Sequence, residues 1–247
     1  MRDPRGACVG RMNVEIRRSP DAIQAAEDCG RAILIRLEDA MAAGAPATIA
    51  ISGGSSPHPM FTYFARQEVA WDRVHVFWVD ERAVAPTHEQ SNYKWANELW
   101  LAPAGVPVKN IHRIQAELPP EEAARRYIAE LREFFRLGPT EMPRFEVVHL
   151  GMGPDAHTAS LFPGSPWIED RTHIAAAAWV HAKKEWRITL LPAALAAARH
   201  TAFLAVGADK ALALTSVLQG PYNPVTYPAQ LASNAVWFLD APAAQNL

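Results

Sequence analysis

Short apolar runs exchange regularly with stretches of helical period along almost the whole chain, and this alternation is what most constrains the fold. Runs rich in Val, Ile, Phe and Trp predict strands at 14–17, 48–51, 74–79, 145–150, 188–190, 201–206 and 235–239. Between them, 21–43 reads as a long helix, with Ile23, Ala26, Ala32, Ile33, Leu37 and Met41 near the helical period. Ser19 and Asp21 are its candidate caps, and Gly44 with Pro46 ends it. Further helices are expected from near Pro57 or Pro59, over 91–101, over 121–136, in the alanine-rich stretch up to Arg199, and over 208–218. In 121–136, Ala124, Tyr127, Ile128, Leu131 and Phe135 share one side. Such a sequence predicts an α/β fold, a mainly parallel sheet flanked by helices on both faces. In these sheets ligands bind at the carboxyl ends of the strands, so the loops that follow strands carry the information.

No linker, low-complexity tract or solenoid-period repeat divides the chain, which predicts a single domain over 13–247 after an N-terminal extension, 1–12. Met12 is a candidate alternative start. The 24 basic and 26 acidic residues give a net charge of −2, which leaves no footprint for nucleic acid or acidic lipid. Attraction of an anionic substrate must then come from a local cluster. No apolar run approaches the roughly 20 residues of a membrane span, and 1–12 lacks the apolar core of a secretory signal. A cytoplasmic location is expected. The two cysteines, Cys8 and Cys29, have neither metal nor redox spacing and are expected to be free thiols. No pair of histidines has metal-ligand spacing, so no metal is expected, and no obligate protein partner is evident.

Four loops after strands concentrate the chemistry. In Ser52-Gly53-Gly54-Ser55-Ser56-Pro57, the glycines Gly53 and Gly54 let the backbone approach a ligand, Ser55 and Ser56 add hydroxyls, and a following helix N-terminus supplies positive potential. That is a phosphate cradle, or else a tight turn with no ligand; it lacks both the dinucleotide pattern and the Walker lysine. Asp80-Glu81-Arg82 follows the 74–79 run, and three charges at a strand's end are not expected in the core. Arg82 could grip a phosphate, with Asp80 on a sugar hydroxyl or on Arg82 itself; a surface ion-pair cluster is the plainer reading. Residues 150–164 put Asp155 two positions before His157 in a glycine-rich turn, where a carboxylate can orient an imidazole for proton transfer. No nucleophile-elbow serine is present, which favours a His-activated water. In Gly207-Ala208-Asp209-Lys210, Lys210 falls at the start of a helix, where a bound anion would offset its conflict with the helix dipole. Arg187 is a further cationic candidate.

Taken together, these loops resemble those of the 6-phosphogluconolactonases of the short type, which share a fold with glucosamine-6-phosphate deaminases. The match runs through 51–57, Asp80-Glu81-Arg82 with Ser91-Asn92, 150–164, Arg187-Ile188-Thr189, 207–210, Pro228-Ala229 and 237–240. The resemblance implies a Rossmann-like fold of the deaminase/phosphogluconolactonase type. It implies hydrolysis of 6-phospho-D-glucono-1,5-lactone to 6-phospho-D-gluconate in the oxidative pentose phosphate pathway, with no cofactor. By the same resemblance His157 is the general base and Asp155 supports it. Arg82 and Lys210, with the Gly53–Ser56 backbone and Ser55, hold the phosphate or the developing oxyanion, and Arg187 is a second contact. Ala156 departs from the glycine the family carries between the Asp and the His. Left-handed backbone there would cost alanine roughly 1–2 kcal/mol.

Two other functions fit the same loops. A glucosamine-6-phosphate deaminase would carry a Glu a few residues after the His, where this chain has Ser160-Leu161-Phe162-Pro163. A non-catalytic sugar-phosphate sensor would tolerate Ala156 but has no use for the Asp155–His157 pair.

Overall fold

The computed structural model describes residues 14–232 and 234–247; the 1–12 extension, the alternative start at Met12 and Cys8 lie outside these. Strand β1 (Glu15–Ser19) leads into helix α1 (Ala22–Ala42). Asp21 caps the helix, its carboxylate accepting the Gln24 amide at 2.9 Å. Ser19, the other candidate cap, instead donates to Asp28 at 2.8 Å. Along α1, Ala25, Ala26, Cys29, Ile33, Leu37 and Met41 form a buried stripe at i, i+3/i+4 spacing. Cys29 is a free, buried thiol whose pKa burial pushes well up. Burying each large side chain of that stripe is worth about 1.5–3 kcal/mol, so this helix is secured by packing more than by propensity.

Next come β2 (Ala47–Ile51), α2 (His58–Ala65) and β3 (Val74–Trp78), with β4 (Asp80–Arg82) one residue beyond. Gly30 brings α2 close to α1: a Cβ there would sit 3.1 Å from Met60 and Tyr63. The chain continues through α3 (Asn92–Ala96), β5 (Ile111–His112), α4 (Pro120–Phe135) and β6 (Val147–Gly151). It ends with β7 (Ala175–Val180), β8 (Glu185–Leu190), α5 (Pro192–Ala196), β9 (His200–Ala205), α6 (Ala211–Gln219) and β10 (Val236–Asp240).

Seven strands make one sheet in the order β1-β10-β9-β6-β2-β3-β5, and every pairing in it is parallel. The sheet is flanked by helices, α1 lying against β10, β9 and β2, so the expected mainly parallel α/β architecture holds. β2 and β3 are buried along nearly their whole length, as parallel strands covered on both faces must be. From β2 the chain winds outward through β3 to β5, and from β6 it winds the other way through β9 to β10. The switch between β2 and β6 splays their following loops apart and leaves a crevice at the carboxyl ends.

The structure departs from the sequence reading in several places. β4, β8 and β7 form a second, antiparallel sheet in that order, which the alternation of strands and helices did not foretell. Asp80-Glu81-Arg82 is therefore a strand rather than a loop. Against expectation, Asp80 and Glu81 are buried, because the β4–β8 ladder and local hydrogen bonds satisfy them. The predicted 91–101 helix is α3 followed by a wider π turn, Asn97–Leu101. The alanine-rich helix before Arg199 is only the five residues of α5, and Ala208–Lys210 is a 3-10 turn that leads into α6.

Candidate active site

The two glycine-rich loops leave β2 and β6 side by side at the switch point and form opposite parts of one cleft of about 450 Å³. Gly53, Gly54, Ser55, Ser56, Asp80, Arg82, His157, Arg187 and Lys210 all line it. Asp155 stands behind His157 instead.

The first loop is shaped by its glycines. Gly54 has φ +93°, backbone that glycine adopts freely. Gly53 has room only for hydrogen, since a Cβ would lie 2.0 Å from Asn92 Oδ1. Asn92 is fixed in turn by donating to the Asp80 carbonyl at 2.8 Å. Glu81 organises this corner. Its carboxylate accepts the amides of Arg82, Asn92 and Tyr93 at 2.7–2.8 Å and the Ser91 hydroxyl at 3.0 Å. Burial raises its pKa, against the pull of those amides.

The second loop holds the imidazole. His157 Nδ1 and Asp155 Oδ1 are 2.5 Å apart, and the same oxygen accepts the His157 amide at 3.2 Å. Burial alone would raise the Asp155 carboxyl, but the hydrogen bonds and positive charge of His157 outweigh it and hold that pKa below the ordinary value. With Nδ1 bound to the carboxylate, Nε2 is the nitrogen left to take a proton. The ring stacks on Phe162, centroids 4.1 Å apart and planes inclined by 18°. It also lies across Gly153, where a Cβ would be 2.1 Å from Nδ1. Ala156 takes φ +64°, so the position where the family has glycine is indeed left-handed, and Ala159 follows at φ +51°.

The cationic wall comes from the antiparallel sheet. β4 and β8 pair so that Arg82 faces Arg187 directly. Like charges opposite one another on a ladder repel, and an anion between them would relieve this. Arg187 is buried, held by Glu185 at 2.5 Å and Asp80 at 3.8 Å. Arg82 Nη1 donates to the Gln90 carbonyl at 2.6 Å, while its buried Nε has no partner in the protein. Asp80 does not pair with Arg82; it accepts the Ser160 hydroxyl at 2.5 Å. Lys210 bonds its neighbour Asp209. The turn before it is tied down by Asp240, whose two carboxylate oxygens accept the Gly207 amide at 3.0 and 3.1 Å.

The cleft also contains residues the sequence reading did not single out as site residues: Lys183 at the β7–β8 tip, Asn92, and two side chains at the floor, Ser52 and His149. Burial pushes His149 down to a pKa of about 3, which leaves it neutral. No cluster of three or more His, Cys, Asp or Glu side chains able to hold a metal occurs among the described residues. No helix among them is long and apolar enough to cross a membrane.

A family model described as glucosamine-6-phosphate isomerases/6-phosphogluconolactonase matches residues 20–238. The chain is 37% identical over 219 residues to the 6-phosphogluconolactonase of a Nostoc species, covering 87% of this chain and 90% of that protein. Among solved structures it superposes on 6-phosphogluconolactonase from Thermotoga maritima with a TM-score of 0.79 at 28% identity, covering 92% and 100% of the two chains. A monomeric glucosamine-6-phosphate deaminase gives the same TM-score at 15% identity, covering 94% of this chain and all of that one, and shares the fold. The chain belongs to the glucosamine-6-phosphate isomerase/6-phosphogluconolactonase family.

Proposed function

We propose that this family member hydrolyses 6-phospho-D-glucono-1,5-lactone to 6-phospho-D-gluconate, in the cytoplasm, as a step of the oxidative pentose phosphate pathway. The observation that carries the reading is the Asp155–His157 pair at 2.5 Å, facing a cleft whose other walls are a glycine-serine loop and the cationic side chains of Arg82, Lys183, Arg187 and Lys210. The phosphate lies on the Gly53–Ser56 loop and is met by Arg82, Arg187 and Lys210. Clamping the remote end of the substrate places the lactone carbonyl and converts binding energy into orientation.

His157 Nε2 takes a proton from a water as that water's oxygen bonds to the carbonyl carbon. Asp155 stabilises the imidazolium that forms. The tetrahedral intermediate collapses by breaking the bond between that carbon and the ring oxygen. The imidazolium returns its proton to the departing oxygen, and the product is the open-chain acid. A δ-lactone is an activated ester, so base catalysis worth ~10²–10⁴-fold suffices.

Nothing between Thr158 and Pro163 offers the carboxylate that assists ring opening in a deaminase: Ser160 is committed to Asp80, and Leu161 is buried. The test measures acid release from the phosphorylated lactone, with the spontaneous rate subtracted, beside ammonia release from glucosamine-6-phosphate. Enzymatic lactone opening without ammonia is expected. Efficient ammonia release, or lactone opening no faster than in buffer, would overturn the proposal.

A further inference from the structure

Phe162 lies five residues after the base in the reacting loop. Half-buried, it belongs neither to the apolar core nor to the side chains packed against that core. Part of its surface opens on a second cavity of about 520 Å³, lined also by Trp167, Trp179 and Trp186. A ring in that place fills no gap in the interior. The groups that lie over it are polar instead. His157 stacks on it with centroids 4.1 Å apart and planes inclined by 18°. The guanidinium carbon of Arg187 is 5.5 Å from the ring centroid. The face of an aromatic ring is negative and attracts cations within about 6 Å. Phe162 therefore meets one permanent cation and one base that becomes a cation when it takes a proton.

The base needs both direction and charge compensation. Asp155 fixes His157 at Nδ1 alone, and a ring held at one atom can still turn about that contact. A flat surface against its face stops the turn and sets the direction of Nε2. The proton must also be taken up in a cleft lined by Arg82 of β4, Lys183 at the β7–β8 tip, Arg187 of β8 and Lys210 before α6, and each of these cations opposes an imidazolium. Asp155, on the ring's own loop, favours it. Asp80 of β4 is already shared between the Ser160 hydroxyl and Arg187. The Phe162 face adds attraction for the cation without adding a further titrating group. We propose that Phe162 is a positioning residue of the reaction, which aims His157 Nε2 into the cleft and favours the imidazolium as it forms. The inference deepens the lactonase reading above and rests on it. Phe162 acts through His157, so its effect falls on kcat and not on substrate binding.

The test compares Phe162→Leu, which keeps apolar bulk but removes the aromatic face, with Phe162→Tyr, which keeps the face. On the phosphorylated lactone, Phe162→Leu is expected to lower kcat about three- to tenfold with KM within about twofold of wild type, and Phe162→Tyr to recover most of kcat. NMR titration of the His157 ring, assigned by its loss in His157→Ala, should reach its midpoint about 0.5–1 pH unit lower in Phe162→Leu than in wild type or Phe162→Tyr. A merely structural role would lower the melting temperature and leave that midpoint in place. An unmoved or raised midpoint in Phe162→Leu overturns the proposal, as does a kcat within about twofold of wild type when wild type opens the lactone. If Phe162→Leu does not fold, Phe162→Met takes its place with the same expectations. The titration needs no substrate, which separates this inference from the lactonase reading. A lowered midpoint supports the role of the ring at His157 even if wild type opens no lactone.

Discussion

The loops after β2 and β6 start side by side and are built on opposite terms. In the first, the left-handed position is Gly54, and nothing lies within 4 Å of where a side chain would begin. The backbone there is relaxed and its amides are available to a ligand. In the second, the left-handed positions are Ala156 and Ala159, both buried, and each costs roughly 1–2 kcal/mol against glycine. That strain persists because the surroundings over-determine the turn. The Gly153 amide donates to the His157 carbonyl at 3.0 Å and the Ala156 amide to the Gly153 carbonyl at 3.0 Å. The Ala229 amide reaches the Ala156 carbonyl at 3.0 Å, and the Thr158 hydroxyl the Gly151 carbonyl at 2.9 Å. A loop that only binds an anion can stay loose. On the function proposed above, the second loop presents a base and must hold one nitrogen at one place, and its backbone is held under strain.

Substitutions can break or sharpen this division. His157→Ala is expected to lower kcat by ~10²–10⁴-fold, measured on the phosphorylated lactone above the spontaneous rate. Gly153→Ala comes next. Its methyl would occupy the place of the imidazole, and displacing the base by about an ångström is worth about 10²-fold in kcat/KM. Gly54→Ala, by contrast, meets no atom, but its φ of +93° strains an alanine, so the loop should shift and raise KM while leaving kcat nearly intact. Ala156→Gly should relieve strain against a small entropic cost, for a gain of about 1 kcal/mol or ~2–4 °C in melting temperature, read by calorimetry, with kcat unchanged. The smallest effect concerns pH. The folded-state pKa of Asp155 lies below its unfolded value, so its contribution to stability is present above the ordinary carboxylate pKa of ~3.9 and is lost as pH falls through the lower folded value. The melting-temperature difference between wild type and Asp155→Asn should therefore shrink as pH falls below the ordinary carboxylate range.

Much of this was legible from the chain because apolar runs mark strands that are buried on both faces. β2, β3, β6, β9 and β10 all lie within about two residues of their predicted places. The site residues on the loops were legible for the same reason, since parallel strands all deliver their loops to one end of the sheet. The antiparallel sheet was not. β7 begins with four alanines, a composition that favours helix, and β4 is the charged triplet Asp80-Glu81-Arg82; each is a strand because β8 pairs with it. Lys183 went unseen with the hairpin that carries it. Arg187 and Arg82 were each identified, but their cross-strand pairing follows from a ladder that no local pattern encodes. His149 was hidden inside an apolar run, where histidine at a strand position reads as part of the core.

The division between a binding loop and a reacting loop is tested most directly by titrating 6-phospho-D-gluconate into His157→Ala by calorimetry. A Kd within about threefold of wild type is expected if, as proposed, the phosphate rests on Gly53–Ser56 and the cationic wall rather than on the imidazole. A Kd weakened tenfold or more would contradict it and make His157 part of the binding site.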